Sequence, residues 1–61
     1  MTVYLFDKEK GETIDFNDVK RVVTTTVIEK AAFSVYFSVY FGGGKRLVFS
    51  QSAYELSAVF N

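Results

Sequence analysis

Apolar and polar side chains alternate without a break over residues 33–41. Phe33, Val35, Phe37, Val39 and Phe41 hold one parity; Ser34, Tyr36, Ser38 and Tyr40 hold the other. A period of two kept over that length predicts a strand with its rings on one face and its tyrosines and serines on the opposite one. Gly42-Gly43-Gly44 follows, and glycine's access to positive φ suits a hairpin turn. The returning strand is Lys45 to Phe49. A three-residue loop sets Val39 opposite Leu47 and Phe37 opposite Phe49, so the turn and the apolar pattern agree on one register.

Upstream, Val3 to Phe6 is a short β-branched and aromatic run, and Asp7 to Gly11 is a charged loop ending in glycine. Glu12 to Phe16 alternates again, with Ile14 and Phe16 on one side. Asn17-Asp18 carries turn chemistry, because both side chains can bond nearby backbone amides. Val19 to Glu29 is rich in valine, threonine and isoleucine, whose branched Cβ favours the pleated surface. Val22 and Val23 are adjacent and must face opposite ways, which predicts a bulge near residues 21–23 or a strand covered on both faces. Glu29-Lys30-Ala31 makes a tight connection to the next strand.

The C-terminal segment reads differently. Ser52-Ala53-Tyr54-Glu55 matches the capping box that opens a helix. Ala53, Leu56 and Phe60 follow at helical spacing, with Val59 widening the stripe. The fold class expected is therefore mostly β (α+β), one small domain over residues 1–61. Its twisted antiparallel sheet has four to five strands, and one short C-terminal helix packs on it. The expected core holds Leu5 or Phe6, Ile14, Phe16, Val35, Phe37, Val39, Leu47, Phe49, Leu56 and Phe60.

Composition narrows the chemistry. The 61 residues include seven phenylalanines and four tyrosines but no cysteine, histidine or proline. That excludes disulfides, thiolate metal sites and the commonest zinc ligand and general base. Acidic residues stand singly, so no calcium loop and no carboxylate pair is in view. No catalytic residue, cofactor or metal site is expected, and the chain reads as a non-enzyme. The uncharged run from Ala31 to Gly44 is 14 residues, short of a membrane-spanning helix. With no basic, apolar leader at the N-terminus, a cytoplasmic protein is the expectation.

Two surface features remain. Net charge is zero, but residues 1–18 carry five acids against two lysines while residues 19–61 carry five bases against two acids. The basic pairs Lys20-Arg21 and Lys45-Arg46 can form one patch if their strands are neighbours. Gly42 to Arg46 lacks the following helix and hydroxyl residue of a phosphate-binding P-loop, so it reads as a hairpin turn. Ser34, Tyr36, Ser38 and Tyr40 form the candidate interface, since tyrosine suits a surface that hides rings and bonds hydroxyls.

These features point to a small adaptor or inhibitor that occupies the surface of a protein partner. Stand-alone proteins of this size without chemistry are often phage or mobile-element products that block a host factor. The alternative is a small single-stranded nucleic-acid binder using the two tyrosines and the basic pairs. Four cations and zero net charge weigh against that alternative. A core this small, without disulfide or metal, also favours self-association as a homodimer or higher oligomer through the Ser34–Tyr40 face or an edge strand.

Overall fold

The computed structural model describes all 61 residues. Six strands run in sequence: β1 (Thr2–Asp7), β2 (Glu12–Phe16), β3 (Val19–Glu29), β4 (Ala32–Phe41), β5 (Arg46–Ser50) and β6 (Tyr54–Phe60). They form two three-stranded antiparallel sheets, ordered β2-β1-β6 and β3-β4-β5. The only helical element is a 3-10 turn over Gly42–Gly44. This corrects the expected single sheet of four to five strands with a packed C-terminal helix.

The error lies in the last element. Tyr54 to Phe60 pairs antiparallel with β1, from Thr2 opposite Phe60 to Asp7 opposite Tyr54. The register slips between Tyr4 and Leu5, which face Ala58 and Leu56, so Ser57 is an extra residue in β6. A bulge of this kind shifts the strand's phase by one. Leu56 and Val59 thus share the face of Leu5 and Val3 although they lie three apart, the spacing of a helix stripe. The capping box is not used as one, because the Ser52 hydroxyl meets the Ser50 hydroxyl at 2.8 Å. An eight-residue helix has little stability of its own, whereas pairing with β1 satisfies a row of backbone groups at once.

The two sheets close on one apolar cluster. Val3 and Leu5 from β1 meet Val19 from β3 and Phe37 and Val39 from β4, all five buried. Each such side chain contributes about 1.5–3 kcal/mol by leaving water. Phe16 bridges the layers, its ring 5.8 Å from that of Phe41 and 5.6 Å from that of Phe49. Tyr54 meets Phe49 edge-on at 5.0 Å. Met1 ties the corner, donating from its amine to the Val19 carbonyl at 2.7 Å and accepting from the Val19 amide at 3.0 Å.

Of the expected core, Leu5, Phe37 and Val39 are buried and Phe16, Phe49 and Leu56 pack against them. Ile14, Val35 and Leu47 are half-buried. Phe60 is 59% exposed, because the bulge turns it away from the core and against Tyr4, 5.8 Å off. Val3 and Val19 are buried and were not anticipated.

The local turns follow the sequence closely. Asp7 accepts from the amides of Glu9 and Lys10 at 3.0 and 3.1 Å, folding the β1–β2 loop. Val39 faces Leu47 and Phe37 faces Phe49, as the turn length requires. The bulge in β3 falls at Lys20, between Val19 and Arg21, one residue before the expected stretch. Beyond it Val22 packs on the core while Val23 faces outward opposite Ser38.

Candidate functional site

Strand length decides where function can sit. β3 has 11 residues and β4 has 10, while the strands of the facing sheet have six, five and seven. The β3–β4 hairpin therefore outruns the layer that covers it. Its far end is an arm, with Ile28 76% and Phe33 71% exposed although they share the core-facing side with Phe37. All three surface concavities of the molecule are lined in part by Phe33. Sequence reading missed this arm, yet the signal was present in the unequal strand lengths.

The opposite, outer face of β3-β4-β5 carries the other cluster. Tyr40 on the central strand lies between Arg21 on β3 and Arg46 on β5, its register partners on either side. The Arg21 guanidinium stands 4.2 Å from the Tyr40 ring centre and that of Arg46 stands 5.9 Å away. A cation over an aromatic face is attracted by the ring quadrupole. Tyr36 lies on the same face, opposite Thr25 and Ser50, and Val27 and Val48 are half exposed around it.

The candidate interface residues are placed unequally. Ser34 is exposed, and Tyr36 and Tyr40 are half-buried. Ser38 is only 7% exposed, flanked by Val23 and Val48 on the neighbouring strands, so it offers a partner almost no surface. The basic residues come together at one end of the sheet. Arg21 and Arg46 flank Tyr40, Lys45 lies 5.5 Å from the Phe41 ring, and Lys20 reaches toward Gly42. β3, β4 and β5 hold a single acid, Glu29, at the far tip of the arm. The other sheet is the reverse: β1, β2 and β6 hold Asp7, Glu12, Asp15 and Glu55 and no base. The two halves of the chain thus separate their charges onto opposite layers, with β6 joining the acidic one.

This environment acts on the phenol. The polar contact with the Arg46 guanidinium holds the Tyr40 pKa below the ordinary tyrosine value; partial desolvation opposes it, and the charges of Arg46 and Arg21 add to it. A lowered pKa in the folded state favours tyrosinate, so the effect on stability is absent at neutral pH. It appears only as the pH climbs through the Tyr40 pKa. An ultraviolet titration is expected to show Tyr40 ionising below the ordinary tyrosine value. Arg46→Ala, which removes the largest of the lowering contacts and leaves Arg21 in place, should move the Tyr40 pKa back up toward that value, and a titration unchanged by that substitution would contradict the assignment.

No group of three or more acidic, histidine or cysteine side chains is placed to hold a metal ion. No helix is long and apolar enough to cross a membrane. No protein-family model, curated protein or solved structure matches the chain.

Proposed function

We propose that the chain is a non-catalytic binding module, an adaptor or inhibitor working in the cytoplasm. Its outer β3-β4-β5 face would dock on an acidic patch of a protein partner. The observation that carries this reading is the Arg21–Tyr40–Arg46 cluster set beside Tyr36, Val27 and Val48 on an uncovered sheet. Tyrosine and arginine are the residue types that dominate binding energy at protein interfaces. Half-exposed valines supply the apolar area between them. Within one chain the face has cations without acids at its working end, and Arg46 on β5 lies away from the β3 border, so an acidic surface complements it.

The same cluster also favours a second reading, in which a single strand of DNA or RNA stacks on Tyr36 and lays phosphates against the four cations. Salt separates the two. Four phosphate contacts give a log–log salt slope of about −3 for a single strand, whereas an interface with a large apolar share responds far less. The experiment is affinity capture with tagged protein, followed by binding curves for what is captured. Arg46→Glu and Tyr40→Ala are each expected to weaken capture about tenfold or more, as truncation of an interface hot spot does. Equal capture by both variants would remove this face from the reading. A gel shift with single-stranded DNA or RNA at low salt, lost at moderate salt, would favour the nucleic acid instead.

A further inference from the structure

β3 is the border strand of its sheet, with β4 on one side only. Which of its backbone groups are free follows from the hydrogen bonds on the far side of β4. The Phe41 amide donates to Lys45 and the Val35 carbonyl accepts from Gln51, so the odd residues of β4 face β5. The even ones, Ser34 to Tyr40, face β3, where their partners are Val27, Thr25, Val23 and Arg21. In an antiparallel ladder, residues alternate between the two sides. The groups of Val22, Thr24, Thr26 and Ile28 therefore point outward along the border. None takes part in the chain's turn, loop or side-chain hydrogen bonds.

Such an edge is a template for another strand, and it is normally blunted by proline, inward charges or a covering loop. Here it has none over its central seven residues, Val-Val-Thr-Thr-Thr-Val-Ile, and charges stand only at the ends. The sequence is also self-complementary. From Arg21 to Glu29 it reads Arg-Val-Val-Thr-Thr-Thr-Val-Ile-Glu, a chemical palindrome about Thr25 with opposite charges at its two ends.

We infer that β3 pairs antiparallel with β3 of a second copy, across a two-fold axis at Thr25. The two β3-β4-β5 sheets then become one continuous sheet. Arg21 lies opposite the partner's Glu29, Val22 opposite the partner's Ile28, Val23 opposite the partner's Val27, and Thr24 opposite the partner's Thr26. Every outward-pointing group meets another, giving about eight backbone hydrogen bonds at two per narrow pair. Shifting the register by one residue sets the free groups against residues whose own groups are spent on β4. Shifting it by two sets Arg21 against the partner's Val27 or the partner's Ala31, and Glu29 against Val19 or Val23 of the partner subunit. Of the registers that match free groups with free groups, only the Thr25-centred one sets Arg21 opposite the partner's Glu29.

The contact also answers the exposed arm. Ile28, 76% exposed in one chain, comes beside the partner's Val22, which packs on the partner's core. The bulge at Lys20 ends the ladder one residue beyond Arg21, so the contact is closed and does not propagate. Two-fold, self-matching contacts are the commonest oligomer geometry.

Sedimentation and light scattering at micromolar concentration test this directly. Twice the 6.9 kDa chain mass is expected, and a single-chain mass overturns the inference. Thr26→Pro removes an outward amide that the chain's own ladder does not use, and such border positions tolerate proline. It should give a folded single chain, and a folded dimer would overturn the pairing. Charge exchange tests the register even if that variant fails to fold. Glu29→Arg should weaken the dimer about tenfold by setting like charges opposite at both ends, and adding Arg21→Glu should restore it. Failure of the double variant to recover overturns the Thr25 register. A dimer lost on Tyr36→Glu yet unaffected by Glu29→Arg would place the contact on the outer face instead. Arg46→Glu and Tyr40→Ala, which probe partner binding, lie on other strands and should leave the dimer mass unchanged, so the two readings fail independently.

Discussion

Leu5→Ala is expected to leave much of the chain unfolded at room temperature. Leu5 has no exposed surface and sits on β1, the middle strand of its sheet, between Ile14 and Leu56. Truncating a buried leucine costs about 2–5 kcal/mol, the upper end where the cavity cannot collapse. A domain of this length has only about 3–9 kcal/mol in hand at the usual stability per residue. The site offers little relief, because its strand neighbours are fixed on both sides by the ladders. A urea titration followed by circular dichroism measures the loss. Val48→Ala, at a half-exposed position on β5, should cost well under half as much. Equal losses at both positions would mean that the core does not centre on β1.

Removing residues 54–61 should abolish cooperative folding altogether. That segment is β6, one of the two neighbours of β1. Without it Val3 and Leu5 border an open edge, and Phe49 loses the ring of Tyr54. Truncation alone does not separate a strand from a docked helix, so Ser52→Ala completes the test. As the cap of a helix, Ser52 would be worth about 1 kcal/mol. As an exposed turn residue bonded to the Ser50 hydroxyl, it should be nearly neutral. A full loss on truncation with a silent Ser52→Ala is the signature of β6. A Ser52→Ala cost as large as a cap's would argue for the helix.

Most of the strand plan was legible because period two is hard to counterfeit over long runs. β2, β3 and β4 begin and end where the apolar alternation and β-branched runs do. β6 was misread because the bulge at Ser57 places Leu56 and Val59 at a helix's spacing while keeping them on one face of a strand. No single-residue propensity reveals such a bulge, and it exists only because β1 is there to pair with. Val3 and Val19 were missed as core for a related reason. Both lie near the Met1–Val19 corner, where the sheets are tied by backbone bonds that no pattern announces.

The candidate site was half legible. Alternation separated Tyr36 and Tyr40 from the core-facing rings, and the basic pairs did meet at one end of the sheet. That Arg21 and Arg46 would share the ring of Tyr40, rather than stand apart with their lysines, depended on the phase of the Lys20 bulge. The burial of Ser38 followed from its size, a small side chain between two valines.

The separation of charge between the layers has a bearing on handling as well as on binding. A chain of zero net charge, with acids on one sheet and bases on the other, carries a permanent electric dipole. Such a molecule is retained by both anion and cation exchangers near neutral pH, where net charge alone predicts passage through each. Its colloidal behaviour is inverted too. At low ionic strength the acidic layer of one molecule attracts the basic layer of the next, and solubility falls. Added salt screens that attraction within about 10 Å at 0.1 M, so salt should dissolve this protein rather than precipitate it.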